Sequence, residues 1–133
     1  MARLESDLFE YMLATERQEL AGKAPPKFSN ETALGVVMAA NGYPGTPDKG
    51  GAIDGIEAAE RNGARVFQAG TAIREGRLVA SGGRVLAVTA TGTSVAEAQR
   101  NAYAAVDRIE FPTGFCRYDI GWREVEREAG RVA

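Results

Sequence analysis

One stretch constrains the fold more than any other. The apolar run Leu34-Gly-Val-Val-Met-Ala-Ala40 passes directly into Asn41-Gly-Tyr-Pro-Gly-Thr-Pro-Asp-Lys-Gly-Gly51. Seven residues of that kind form a buried strand, and six glycines or prolines in the next eleven forbid any continuation. A strand must therefore end in a long structured loop. Glycine lets a backbone approach another group closely, and proline stiffens the approach. Lys49 in such a loop can meet a phosphate or a carboxylate. A plain turn with a solvated lysine fits the same pattern.

The chain has 133 residues, which suits one domain with a real core. Acids and bases are interspersed and the net charge is −2, so no nucleic-acid footprint is indicated. No apolar run is long enough for a membrane-spanning helix, and no signal-peptide core follows Met1. The single cysteine, Cys116, suits a reducing cytoplasm and reads as a packing residue. There is no histidine. This removes Ser-His and Cys-His nucleophile pairs and the usual zinc sites. No catalytic residue and no metal site is read from the sequence.

The remaining segments predict an α+β fold: a strand-rich, mainly antiparallel sheet or small barrel with one packed helix, plus an N-terminal helix. Leu4, Leu8, Tyr11, Met12 and Thr15 share one helical face, predicting a helix from Arg3 to about Gly22. Pro25-Pro26 stops it and a polar linker follows. Ile53 and Ile56 lie in a stretch of undecided state. Ala64–Gly70 reads as a strand that Thr71–Ile73 extends. Glu75-Gly76 reads as a turn, Leu78–Ala80 as a strand, Ser81-Gly-Gly83 as a second tight turn, and Arg84–Ala90 as the best strand. Ser94 and Glu97 form a capping box. Val95, Ala98, Ala102, Ala105, Val106 and Ile109 make an apolar stripe behind it. The aromatic segment Phe115–Arg123 docks on the core, and the tail beyond it is charged.

Two further places can carry chemistry. Ser81-Gly-Gly-Arg84 can form a small anion-binding nest beside a guanidinium, or be a hairpin turn with a surface arginine. Arg117 and Asp119 fit a structural ion pair better than a site.

These same residues carry a resemblance. Val36–Gly45 with Lys49-Gly50, Val66-Phe-Gln-Ala-Gly-Thr71, Ser81–Thr89, Ala96-Glu-Ala98 and Arg117-Tyr-Asp-Ile-Gly121 occur in order. Together they are similar to the C-terminal domain of phosphoribosylamine–glycine ligase (glycinamide ribonucleotide synthetase), of the ATP-grasp superfamily. The resemblance covers about residues 1–123. It implies a fold like the C-terminal domain of biotin carboxylase. It implies that 1–32 are a helix and linker from the end of the ATP-grasp domain, 33–123 the ligase C-terminal domain and 124–133 a charged tail.

That family joins glycine to phosphoribosylamine in purine biosynthesis with ATP. The resemblance places ATP and magnesium in the ATP-grasp domain, and no cofactor in this chain. It thus implies the substrate-side domain of a cytoplasmic ligase, not expected to be catalytic alone. Its expected partners are the phosphoribosyl substrate and the missing ATP-grasp domain or subunit, with no nucleic acid and no membrane. The implied substrate-binding set is Lys49, Gly50, Gly82, Gly83 and Arg84. Gln68 stands where the family often has histidine. The alternative is a non-catalytic module that docks on a separate ATP-grasp subunit or on itself, driven by the apolar stripe of the first helix.

Overall fold

β5 (Arg84–Gly92) organises the molecule. It lies inside a four-stranded antiparallel sheet of order β2-β5-β1-β6, with β2 at Arg65–Gln68, β1 at Thr32–Ala40 and β6 at Gly114–Cys116. β3 (Thr71–Arg74) and β4 (Arg77–Ala80) form a separate hairpin, joined to the rest through an Ala52–Val79 bridge. The computed structural model describes residues 1–130. Of the two expected arrangements, the open sheet is realised and the barrel is not. β2 and β6 are its edges, and the hairpin that would have closed it pairs with itself.

β1 and β5 pair with Val36 opposite Val88 and Met38 opposite Leu86. The register then shifts, and Ala39 faces Arg84. The extra residue on the β5 side, Val85, is fully buried. Such a bulge bends the strand end where the two loops leave. The even-numbered residues Leu34, Val36, Met38, Leu86, Val88 and Ala90 face inward and are buried. Period-two alternation puts Ala33, Gly35 and Val37 on the outer face, where they are exposed.

α3 (Val95–Val106) covers the inner face with Ala98, Ala102 and Ala105, all buried. Small side chains let it sit close. At the strand end, a Cβ on Gly92 would lie 2.6 Å from the Ala98 nitrogen. The cap is as expected on one side: the Ser94 hydroxyl accepts from the Glu97 N–H at 3.1 Å. The return bond falls one residue earlier than a capping box predicts. The Glu97 carboxylate accepts from both the N–H and the hydroxyl of Thr93, at 2.6 Å each. These bonds, the hydroxyl's first, hold Glu97 below the usual carboxylate range. Ser94→Ala is expected to cost about 1 kcal/mol, read as a lowered melting temperature, while the Thr93–Glu97 bonds keep the helix start in place.

The N-terminal helix is shorter than the sequence predicts. α1 spans Leu8–Glu16, started by Asp7, whose carboxylate accepts from the Phe9 N–H at 2.9 Å. Gln18 turns into the left-handed region at φ 60, which ends the helix. Leu4 instead bridges to Phe28 as extended chain, and Leu20–Gly22 is one 3-10 turn. Of the predicted stripe, Leu8 and Met12 are exposed, as is Phe9 beside them, while Leu4 and Tyr11 are half-buried. Thr71–Arg74 is a strand of its own, because the chain turns at Ala69-Gly70, where both N–H groups donate to β5.

The aromatic segment holds a short edge strand, β6, paired to the end of β1. Behind it the charged stretch forms α4 (Trp122–Glu128). The Glu128 carboxylate accepts from the Val95 and Ala96 N–H groups at 2.9 and 3.2 Å, a negative charge on the positive end of α3. α2 (Ile56–Glu60) settles the undecided stretch. No helix of the described residues is long and apolar enough to cross a membrane.

Candidate functional site

The loop after β1 and the turn before β5 meet at one end of the sheet. Backbone bonds fix the meeting. Ala40 N–H donates to Gly83 O at 2.8 Å, Asp48 N–H to Asn41 O at 2.8 Å, and Gly50 N–H to Ala80 O at 2.7 Å. Ala80 N–H returns a bond to Gly51 O at 2.8 Å. Lys49 therefore sits on a backbone pinned on both sides, beside the residue that opens the Ser81-Gly-Gly83 turn.

Close packing explains the glycines here. Tyr43 lays its ring on Gly83, where a Cβ would come 2.5 Å from the ring's Cδ2. Gly70 backs onto the same turn, and its Cβ would meet Arg84 O at 2.6 Å and Gly82 Cα at 2.9 Å. The Ser81 and Gly82 N–H groups both donate to Gly70 O, at 2.7 and 3.1 Å. The Ser81 and Gly82 amides are thus committed to a carbonyl, which takes these two donors out of the nest that the sequence allowed.

Between the two bends lies an open cavity of about 600 Å³. Tyr43, Pro44 and Pro47 form one wall, Val37, Leu86 and Ala87 another, and Gly83 and Arg84 its rim. Arg84 is the one charged residue lining it among the described residues. The side chains of Arg84 and Lys49 are exposed, and neither pairs with a carboxylate among the described residues. Of the five site residues read from the sequence, Gly83 and Arg84 line this cavity, whereas Lys49, Gly50 and Gly82 are not among its lining. Tyr43, Pro44 and Pro47 were not on that list. Their signal was present: an aromatic residue among prolines and glycines has a stiff, apolar surface to offer.

Gln68 lies elsewhere. It lines a second cavity of about 530 Å³ with Asp54, Glu57 and Arg61. Its side-chain oxygen accepts from the Thr71 hydroxyl at 3.1 Å, the structural bond that an amide can keep where histidine is absent. Arg117 and Asp119 make the expected ion pair, with bonds of 2.9 and 2.7 Å on a solvated surface. The guanidinium beside it holds Asp119 below its ordinary range. Cys116 is half-buried, and burial pushes its thiol up, away from nucleophile chemistry. Among the described residues no group of three or more Cys, Asp or Glu side chains is placed to hold a metal ion.

Comparison with known proteins agrees with these motifs. The family described as phosphoribosylglycinamide synthetase, C domain, matches residues 33–123. The phosphoribosylamine–glycine ligase of Mesorhizobium japonicum is 56% identical over 128 residues, covering 96% of this chain and 30% of its own length. The chloroplastic ligase of Arabidopsis thaliana is 50% identical over 131 residues, or 24% of its length. The ligase of Thermotoga maritima, known from a crystal structure, superposes on 84% of this chain with a TM-score of 0.65 and 34% identity. That match takes in 27% of the Thermotoga chain, so the sequence spans roughly a third or less of each relative. The family match covers both bends, the strand between them and the helix that supports it: the chain belongs to the phosphoribosylglycinamide synthetase C-domain family.

Proposed function

We propose that this chain is the substrate-side domain of a phosphoribosylamine–glycine ligase, and that Arg84 and Lys49 hold the phosphate of phosphoribosylamine. The observation that carries this is the cavity rim. Arg84 stands there without a carboxylate partner, at the mouth of a wall of proline and tyrosine. An arginine with no protein anion to pair with is suited to an anion from solution. The apolar wall excludes water from one side, which strengthens the attraction. Lys49, from the adjoining bend, adds a second positive charge. Gly50, Gly82 and Gly83 keep both bends tight enough for the two cations to approach one ligand.

In this reading the chain binds and orients and does no bond-making. A phosphate held at a fixed place sets the amine of the substrate toward the reacting carboxyl of glycine, and orientation of this kind lowers the barrier. Nucleotide and magnesium belong to the ATP-grasp part, which supplies phosphoryl transfer. The single cysteine suits a reducing compartment such as the cytoplasm.

Arg84→Ala, placed in a full-length ligase that carries this sequence as its C domain, tests the assignment. A hydrogen bond to a charged group is worth about 1.5–3 kcal/mol, so the Michaelis constant for phosphoribosylamine is expected to rise roughly tenfold or more. The constant for ATP is expected to stay near its starting value. Equal rises in both would take Arg84 off the substrate.

A second reading, a docking module without a substrate of its own, has one observation in its favour. α1 leaves Leu8, Phe9 and Met12 exposed.

A further inference from the structure

Among the described residues, two of those lining the Arg84 cavity carry a polar side-chain group: Arg84 itself and Tyr43. The rest of the lining is proline, glycine and aliphatic side chains. The backbone acceptors of the rim are in use, Gly83 O by the Ala40 N–H and Arg84 O by the Gly70 N–H. A ligand here therefore meets one cation, one phenol hydroxyl and an apolar floor. The few polar groups of such a pocket set which ligand it takes and how that ligand lies.

The backbone holds Tyr43 in place. Its N–H donates to Ala40 O at 3.1 Å. Gly42 before it runs so close to the next turn that a Cβ would lie 2.2 Å from Thr46 O. The ring rests on Gly83, the residue before Arg84, and its nearest atoms there are Cδ2, Cε2 and Cγ. The contact uses one edge of the ring and leaves the hydroxyl end out of it. The hydroxyls of Tyr11 and Tyr103 donate to protein carbonyls at 3.0 and 2.7 Å, whereas that of Tyr43 has no protein partner among the described residues. A pinned ring with a spare hydroxyl offers a donor and an acceptor, already placed, to a molecule from solution.

The charge on Arg84 accounts for the phosphate of the ligand and leaves the hydroxyl to meet the remainder. A furanose joined to that phosphate has C–H groups on its faces and hydroxyls on its edge. The faces suit the tyrosine ring and the prolines, and the edge suits the phenol.

We infer that Tyr43 recognises the sugar of a phosphoribosyl ligand: its ring packs on furanose C–H groups and its hydroxyl bonds to a hydroxyl of the sugar, while Arg84 holds the phosphate. This rests on the function proposed above and adds the source of its selectivity. An arginine accepts any phosphate ester. A site that bonds a hydroxyl disfavours a ligand without one, because the covered phenol is then left unpaired.

Competition kinetics test it in a full-length ligase that carries this sequence as its C domain. Ribose 5-phosphate and tetrahydrofurfuryl phosphate are each set against phosphoribosylamine. The second probe keeps the five-membered ring and the phosphate and lacks the hydroxyls of the sugar. Tyr43→Phe removes the phenol oxygen and keeps the ring on Gly83, and thermal melting checks that the variant folds. It is expected to raise the inhibition constant of ribose 5-phosphate and the Michaelis constant for phosphoribosylamine roughly fivefold, as the loss of one neutral hydrogen bond does. The inhibition constant of tetrahydrofurfuryl phosphate is expected to stay within about twofold of its starting value.

Equal weakening of both probes overturns the sugar contact, since a loop that had merely shifted would do the same. So do unchanged constants for both. Arg84→Ala, expected to weaken the two probes alike, answers for the phosphate. If it does so while Tyr43→Phe fails to separate them, the phosphate site stands and the sugar contact falls. If Tyr43→Phe separates them while Arg84→Ala moves neither, the sugar contact stands and the phosphate assignment falls.

Discussion

Leu86→Ala is expected to destabilise the folded chain by about 2–5 kcal/mol. Leu86 is 1% exposed, in the β5 strand, opposite Met38 on one side and Gln68 on the other. It is among the largest fully buried side chains of the domain, with Val36, Val85 and Val88. Truncation removes three carbons from a core that, among the described residues, contains no buried polar residue to rearrange around the gap. The strands on both sides are pinned by their ladders, so the site cannot collapse far, and the cost lies above the bare transfer energy. Domains of this size have a total of about 5–15 kcal/mol, so the loss is a large share. Urea denaturation reads it as a lower midpoint at unchanged slope. Thr89→Ala, three residues along the same strand on the outer face, is expected to stay within about 0.5 kcal/mol. If Leu86→Ala shifts the midpoint no more than Thr89→Ala, the inner face is not the centre of the core.

Gly42→Ala is expected to cost about 3 kcal/mol and to open the cavity wall. Two penalties add. Gly42 has φ +83, where a side chain costs about 1–2 kcal/mol. The added Cβ would also overlap the backbone carbonyl of Thr46, which no rotamer change can relieve. Overpacking of this kind costs about 1–3 kcal/mol. Relief requires the loop to shift, and the loop carries Tyr43, Pro44 and Pro47 into the wall. A crystal structure of the variant should show Tyr43 lifted from Gly83, and urea melts should show the loss of stability. Gly50→Ala is the contrast. It shares a positive φ of +86, yet nothing lies within 4 Å of its added Cβ, so only the backbone strain remains. Equal costs at the two positions would mean that the close approach to Thr46 contributes nothing.

The strand ends and the α3 stripe were legible because they rest on local patterns. The period-two run at 84–90 and the stripe from Val95 to Ile109 needed no partner to be recognised, and nearly all of that stripe is buried. α1 was overestimated for the same reason. Its spacing supports a helix from residue 3, but a hydrophobic period says nothing about whether a surface exists for it to pack on. Asp7 and Gln18 then set its limits locally. α4 was missed because five of the seven residues of Trp122–Glu128 are charged, and its anchor is Glu128 on the start of α3, more than thirty residues away in sequence. β6 is three residues long and exists only because β1 offers an edge.

The candidate site divides in the same way. Its two bends and the cation in each are visible as glycine-flanked residues in a single sequence. Which groups face the cavity was decided by chain pairing. The Met38/Ala39 register shift, the Gly50–Ala80 and Ala40–Gly83 bonds and the Tyr43 ring on Gly83 bring the two bends together, with Arg84 lining the cavity and Lys49 on the adjoining bend. The sequence alone determined the two long strands, the capped helix, the family and most places where the backbone must turn, because these follow from side-chain period, motif order and glycine freedom along a few residues. The tertiary structure decided that the sheet stays open, that Phe67 and Val37 stand exposed on its outer face, and that Gly70 and Gly83 of the site serve close packing. Those depend on which distant segments share hydrogen bonds, and a single chain read from end to end does not contain that information.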